Sequence, residues 1–146
     1  MTSLGDQLIS TWSLMSYETR TADGAVEYPM GKEVVGFLIY APPGFMSANL
    51  MIPGTPPFAG GDVASGSLGE LAAAARGYFG YAGRFEVDES ARAVKHHIEV
   101  SLVPNWLKTI QKRYIRLEGE RLILSGDPSL LGGRVATPVI TWARCR

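Results

Sequence analysis

The sequence predicts a mainly β protein: one up-and-down barrel of about eight strands, with a single helix-bearing insertion between strands three and four. Two observations carry that prediction. Seventeen glycines and nine prolines cut the 146 residues into short runs, and most of those runs alternate in polarity or are rich in aromatic and β-branched residues. The connections between runs also alternate in length, short at 42–44, 88–92 and 119–120 but long at 20–32 and 53–76. In a meander, alternate connections lie at opposite ends, so one end carries tight turns and the other carries long loops. That shape is a cup.

The predicted strands, in order, are residues 9–19, 33–41, 45–52, 77–87, 93–103, 111–118, 121–125 and 138–144. One segment has clear helical chemistry. Ser67 and Glu70 form an S-x-x-E capping box, four alanines follow at 72–75, and Gly77 can end a helix over 68–76. A short turn capped by Thr2 or Ser3 is expected before the first strand. The insertion 53–76 combines a Gly/Pro-rich arm with this helix, which places it to cover part of the mouth as a lid. No repeat or linker divides the chain, and residues 1–146 are read as a single domain.

Composition narrows the function. A chain of this length with 46% apolar residues buries roughly two-thirds of its unfolded surface, enough for a real core. Fourteen basic and fourteen acidic residues cancel, so nothing marks the chain for a phosphate backbone or an anionic membrane. The single cysteine, Cys145, excludes an internal disulfide and fits a reducing cytoplasm. No signal-like or membrane-spanning run is seen, and a cytoplasmic monomer or homodimer is expected.

Several short segments carry a family resemblance. Ser10-Thr11-Trp12 stands where lipocalins place Gly-x-Trp, with serine in the glycine position, and Trp142-Ala143-Arg144 is similar to the partner they set against that tryptophan. Together with 11–14, 44–48, 81–87 and 96–106, these segments resemble the bacterial and fungal lipocalin-like domain family over most of the chain. The resemblance implies a closed or nearly closed barrel around a small-molecule cavity and implies little about chemistry.

Strict alternation assigns the faces. His96, Ile98, Val100 and Leu102 fall on an apolar side, opposite Lys95, His97, Glu99 and Ser101. Phe79, Tyr81, Phe85 and Val87 oppose Arg84 and Glu86, and Ile115 and Leu117 oppose Tyr114, Arg116 and Glu118. The charged residues then share an outer surface, where they can pair across strands. Adjacent His96 and His97 point to opposite faces and cannot share one ion, so no metal is expected. His96 points inward near the floor, either as a hydrogen-bonded core residue or as an acid/base group touching a ligand. The same counting puts Ser16 and Glu18 inside near the mouth. Arg113 enters there too, paired with Glu18 either functionally or as an ordinary rim ion pair, and Asn105 and Trp106 cap the neighbouring strand.

Two function classes follow. In the first, Glu18, His96 and Arg113, with Tyr81, perform cofactor-free acid/base chemistry on an apolar or aromatic, secondary-metabolite-like molecule, as an isomerase, cyclase or lyase would. In the second, the cavity carries or sequesters a hydrophobic ligand unchanged, using Ser16, Met46, Phe79, Tyr81, Phe85, Asn105 and Trp106 as its walls and anchors. No nucleophile elbow, phosphate loop or dinucleotide fingerprint is present. A purely structural interaction domain is weaker, because the long loops gather at one end.

Overall fold

The computed structural model describes residues 2–146. After a short helix α1 (Leu4–Leu8), the chain forms β1 (Ser10–Arg20), β2 (Val26–Glu27), β3 (Val35–Ala41) and β4 (Phe45–Met51). Helix α2 (Leu68–Arg76) precedes β5 (Tyr78–Asp88) and β6 (Ala93–Ser101), and a 3-10 turn spans Pro104–Trp106. The rest is β7 (Ile110–Glu118), β8 (Arg121–Ser125), β9 (Ser129–Leu131) and β10 (Arg134–Arg144). Every pairing is antiparallel, and β1 pairs with β10 to close the sheet. The barrel proper has eight strands, while β2 and β9 are short ribbons added to β1 and β10.

Two details differ from the sequence expectation. A two-residue strand β2, not expected from the sequence, precedes β3 and shifts the count, so the helix-bearing segment between residues 51 and 78 lies between β4 and β5. The last strand begins at Arg134 instead of 138, since β9 and its turn give residues 134–136 a partner that hydropathy does not reveal.

The core is the inner face of the barrel: Trp12, Leu38, Tyr40, Met46, Ala48, Leu50, Val94, Ile115, Leu122, Leu124 and Trp142 are buried in one cluster. Helix α1 plugs one end. Leu4 and Leu8 join the core, and the Glu89 carboxylate accepts from the Leu4 and Gly5 amides at 2.7 and 3.0 Å, capping the free donors of that helix start. Trp12 donates its indole N–H to the Leu8 carbonyl at 2.9 Å, while the Arg144 guanidinium lies 4.3 Å over its ring.

Two bulges decide what faces inward. In β1, Leu14 pairs with Trp142 and Ser16 with Thr141, so Met15 is an extra residue. In β6, Val100 pairs with Ala82 but Ile98 pairs with Gly83, so Glu99 is an extra residue. Each bulge shifts the period-two pattern by one and exchanges the faces of everything beyond it.

Candidate ligand cavity

The end of the barrel opposite α1 opens into a cavity of about 750 Å³. Leu38, Ala48, His96 and Trp142 line its deeper part, Tyr17, Phe79, Tyr81, Trp106, Arg113 and Ile140 contribute further lining, and Met30, Ala75, Arg76 and Leu130 come from the long connections. Three rings make one wall, where Phe79 meets Trp106 at 5.0 Å and Tyr81 at 5.8 Å, and Tyr81 meets Trp106 at 5.3 Å, all edge to face. Trp106 reaches this wall because Pro104 starts a 3-10 turn that ends β6.

His96 is fully buried. Its Nε2 lies 2.6 Å from the Tyr40 hydroxyl and its Nδ1 lies 3.1 Å from the Tyr81 hydroxyl. Burial, reinforced by the nearby positive charges of Arg113 and His97, pushes its pKa down to about 3. The imidazole is therefore neutral at physiological pH and a weak base. Burial likewise raises Tyr40, Tyr81 and Tyr17 above the ordinary phenol value, with the Arg113 charge opposing the rise, so these hydroxyls stay protonated.

Arg113 also lines the cavity. Its Nη1 donates to the Lys112 carbonyl at 2.9 Å, its guanidinium carbon lies 6.0 Å from the Trp106 ring centre, and among the described residues no carboxylate pairs with it. A cation on an aromatic-walled cavity without a carboxylate partner favours an electron-rich or acceptor group on whatever enters.

The remaining expected site residues are placed differently. Glu18 and Ser16 lie beyond the Met15 bulge and turn to the outer face, where Glu18 pairs with Arg20 at 3.3 Å, and the Glu18–Arg113 pair does not form. Tyr17 and Thr19 take the inward positions instead. Met46 and Phe85 are packed into the core rather than lining the cavity, Phe85 lying 4.8 Å from Tyr40. Asn105 is exposed because the 3-10 turn directs only Trp106 inward. Phe79, Tyr81, Trp106, His96 and Arg113 do share the cavity. Val100, expected on the inner face, is 61% exposed beyond the Glu99 bulge, and Ser101 pairs with Tyr81 in its place. His97 lies outside and meets Glu86 at 2.9 Å across the strands.

Tyr40 was not anticipated as a site residue. It lies in the run Val35-Gly36-Phe37-Leu38-Ile39-Tyr40, apolar on both faces, so alternation assigns it no side. The available signal is cross-strand: Trp12 pairs with Leu38, which puts Leu38 and Tyr40 on the tryptophan's side.

The chain belongs to the lipocalin-like domain family, whose model matches residues 9–145. It is 40% identical over 106 residues to the 4'-hydroxy-3'-methoxypropiophenone carrier protein ppsC of Aspergillus oryzae (strain ATCC 42149 / RIB 40), a match covering 68% of this chain and 96% of that protein. Among the described residues, no helix is long and apolar enough to cross a membrane.

Proposed function

We propose that this protein is a carrier for a small aromatic ketone or a molecule of similar shape and polarity, held unchanged in the barrel. The observation that carries the proposal is the cavity's combination of aromatic walls with polar groups unsuited to moving protons. Its imidazole is buried and depressed to about 3, its tyrosines are raised, and Glu18 lies outside. The carboxylate of Asp127 stands at the exposed rim, where it accepts from Tyr114 at 2.9 Å. A volume of about 750 Å³ suits a ligand of one or two rings. The relative's name, which gives a methoxylated hydroxypropiophenone as its cargo, supports this ligand class over an isomerase or cyclase reading. The single cysteine fits a cytoplasmic location for such a carrier.

Titration with 4'-hydroxy-3'-methoxypropiophenone, followed by tryptophan fluorescence and by mass spectrometry of the recovered ligand, tests the proposal. Saturable binding, a signal reduced in Trp106→Phe with the remainder coming from Trp142 deeper in the cavity, and full recovery of unaltered ketone are expected. Absence of binding, or conversion of the ketone to a new product, would overturn it.

A further inference from the structure

We infer that the buried Tyr40–His96 contact fixes the imidazole in its Nδ1–H form, and that this makes the Tyr81 hydroxyl an obligatory hydrogen-bond donor into the cavity, selecting ligands with an acceptor oxygen there. The inference rests on the reading of the cavity as a ligand site.

A neutral imidazole offers one donor and one acceptor, so the Tyr40–His96–Tyr81 chain can run in only two directions. If Nε2 carried the proton, it would donate to the Tyr40 oxygen, and the Tyr40 hydrogen would have no acceptor. Tyr40 is 1% exposed, and among the described residues its hydroxyl meets only His96. A buried hydroxyl hydrogen without a partner is strongly disfavoured. The other direction avoids that loss: Tyr40 donates to Nε2, Nδ1–H donates to the Tyr81 oxygen, and the Tyr81 hydrogen is left over. Tyr81 is half-buried and lines the cavity, so its leftover hydrogen can be met by a molecule inside.

The 2.6 Å Tyr40 contact is also shorter than the 3.1 Å Tyr81 contact, as expected where a phenol donates to an imidazole nitrogen in the first and an N–H donates to a phenol oxygen in the second. The strong depression of the His96 pKa excludes the imidazolium, which would abolish the directionality. Arg113, on the same cavity, has donors alone and reinforces the preference for an acceptor. A ketone carbonyl satisfies Tyr81, and a hydrocarbon of the same outline does not. The chemistry recognised is therefore the acceptor atom, with the aromatic wall tolerant of the ring it carries.

Two independent readouts test this. Long-range proton–nitrogen NMR on the full chain carrying His97→Gln, which leaves His96 as its only histidine, should show a protonated Nδ1 and an unprotonated Nε2 at neutral pH, the reverse of the form the isolated side chain favours. An Nε2–H imidazole in the His97→Gln chain would overturn the inference. For the ligand, propiophenone and n-propylbenzene serve as probes of similar outline with and without the carbonyl. Tyr81→Phe should weaken propiophenone roughly five- to tenfold and leave n-propylbenzene within about twofold. Equal weakening of both, or no change in either, would overturn the donor role. Failure of both probes to bind the parent chain would overturn the carrier reading instead, while the nitrogen spectrum still decides the tautomer.

Discussion

Tyr17 lies opposite Ile140 across the seam that closes the barrel, while Leu14, three residues earlier, lies opposite Trp142, only two residues away on β10. Both pairs face inward, so the extra residue at Met15 rotates the upper half of β1 and exchanges Ser16 and Glu18 for Tyr17 and Thr19 in the cavity wall. Glu18→Gln should therefore leave affinity for 4'-hydroxy-3'-methoxypropiophenone within about twofold and stability within about 0.5 kcal/mol, the Arg20 partner being mostly solvated. Tyr17→Trp, which adds volume to the wall, should weaken the same ligand roughly tenfold. Isothermal titration of both variants decides it, and a large loss in Glu18→Gln would place the carboxylate at the ligand after all.

The same exchange explains what could be read from the sequence. Up to each bulge, period-two counting works: Trp12 and Leu14, His96 and Ile98, and Ile115 and Leu117 all face inward. Helix α2 was legible because its signal is local. The Ser67 side chain accepts from the Glu70 amide at 3.1 Å, and Glu70 accepts from the Ser67 amide at 2.9 Å, with no tertiary contact required. A bulge has no comparable local signature, since Met15 and Glu99 are extra only relative to a partner strand distant in sequence. The ligand wall beyond each bulge was therefore illegible. Tyr40 was hidden for a different reason, its strand being apolar on both sides.

The bulge in β6 also explains a glycine. A Cβ on Gly83 would stand 1.8 Å from the His97 carbonyl oxygen, a backbone atom that cannot swing aside. Gly83→Ala should lower stability by at least about 2 kcal/mol in urea unfolding, through displacement of the β5–β6 pairing next to His96. Gly69 provides the contrast. It lies within exposed α2 with open space around it, and Gly69→Ala should be neutral or stabilising by up to about 1 kcal/mol. Equal costs at the two sites would contradict the close approach.

The two buried indoles should respond unequally to the same truncation. Trp12 donates to the Leu8 carbonyl, whereas the Trp142 Nε1 is buried with no hydrogen-bond partner among the described residues. Replacing either by phenylalanine loses packed area, but Trp142→Phe also removes an unsatisfied donor, while Trp12→Phe leaves the Leu8 carbonyl unpaired. Trp12→Phe should cost about 1–3 kcal/mol more than Trp142→Phe in chemical denaturation. Identical costs would mean that the Trp142 N–H has a partner in solution.

The depressed His96 pKa links the cavity floor to acid stability. In the unfolded chain this histidine takes up its proton near pH 6.5, but in the folded chain only near pH 3. Between those values the unfolded state binds more protons, so the contribution of a neutral His96 is fully present above about pH 6.5, declines as pH falls, and is exhausted below about pH 3. At pH 4.5 the loss relative to pH 7.5 should reach about 3 kcal/mol from this one side chain. Asp23, Asp88 and Glu70, lowered chiefly by hydrogen bonds, act in the same direction at more acidic pH, so the measurement needs a control that keeps them. His96→Gln is that control, because an amide can still accept from Tyr40 and donate towards Tyr81 without titrating. Urea unfolding of both proteins at pH 7.5 and 4.5 should show the parent losing about 3 kcal/mol more than the variant. Parallel losses would mean that the imidazole takes up a proton in the folded state far more readily than its burial between two tyrosines allows.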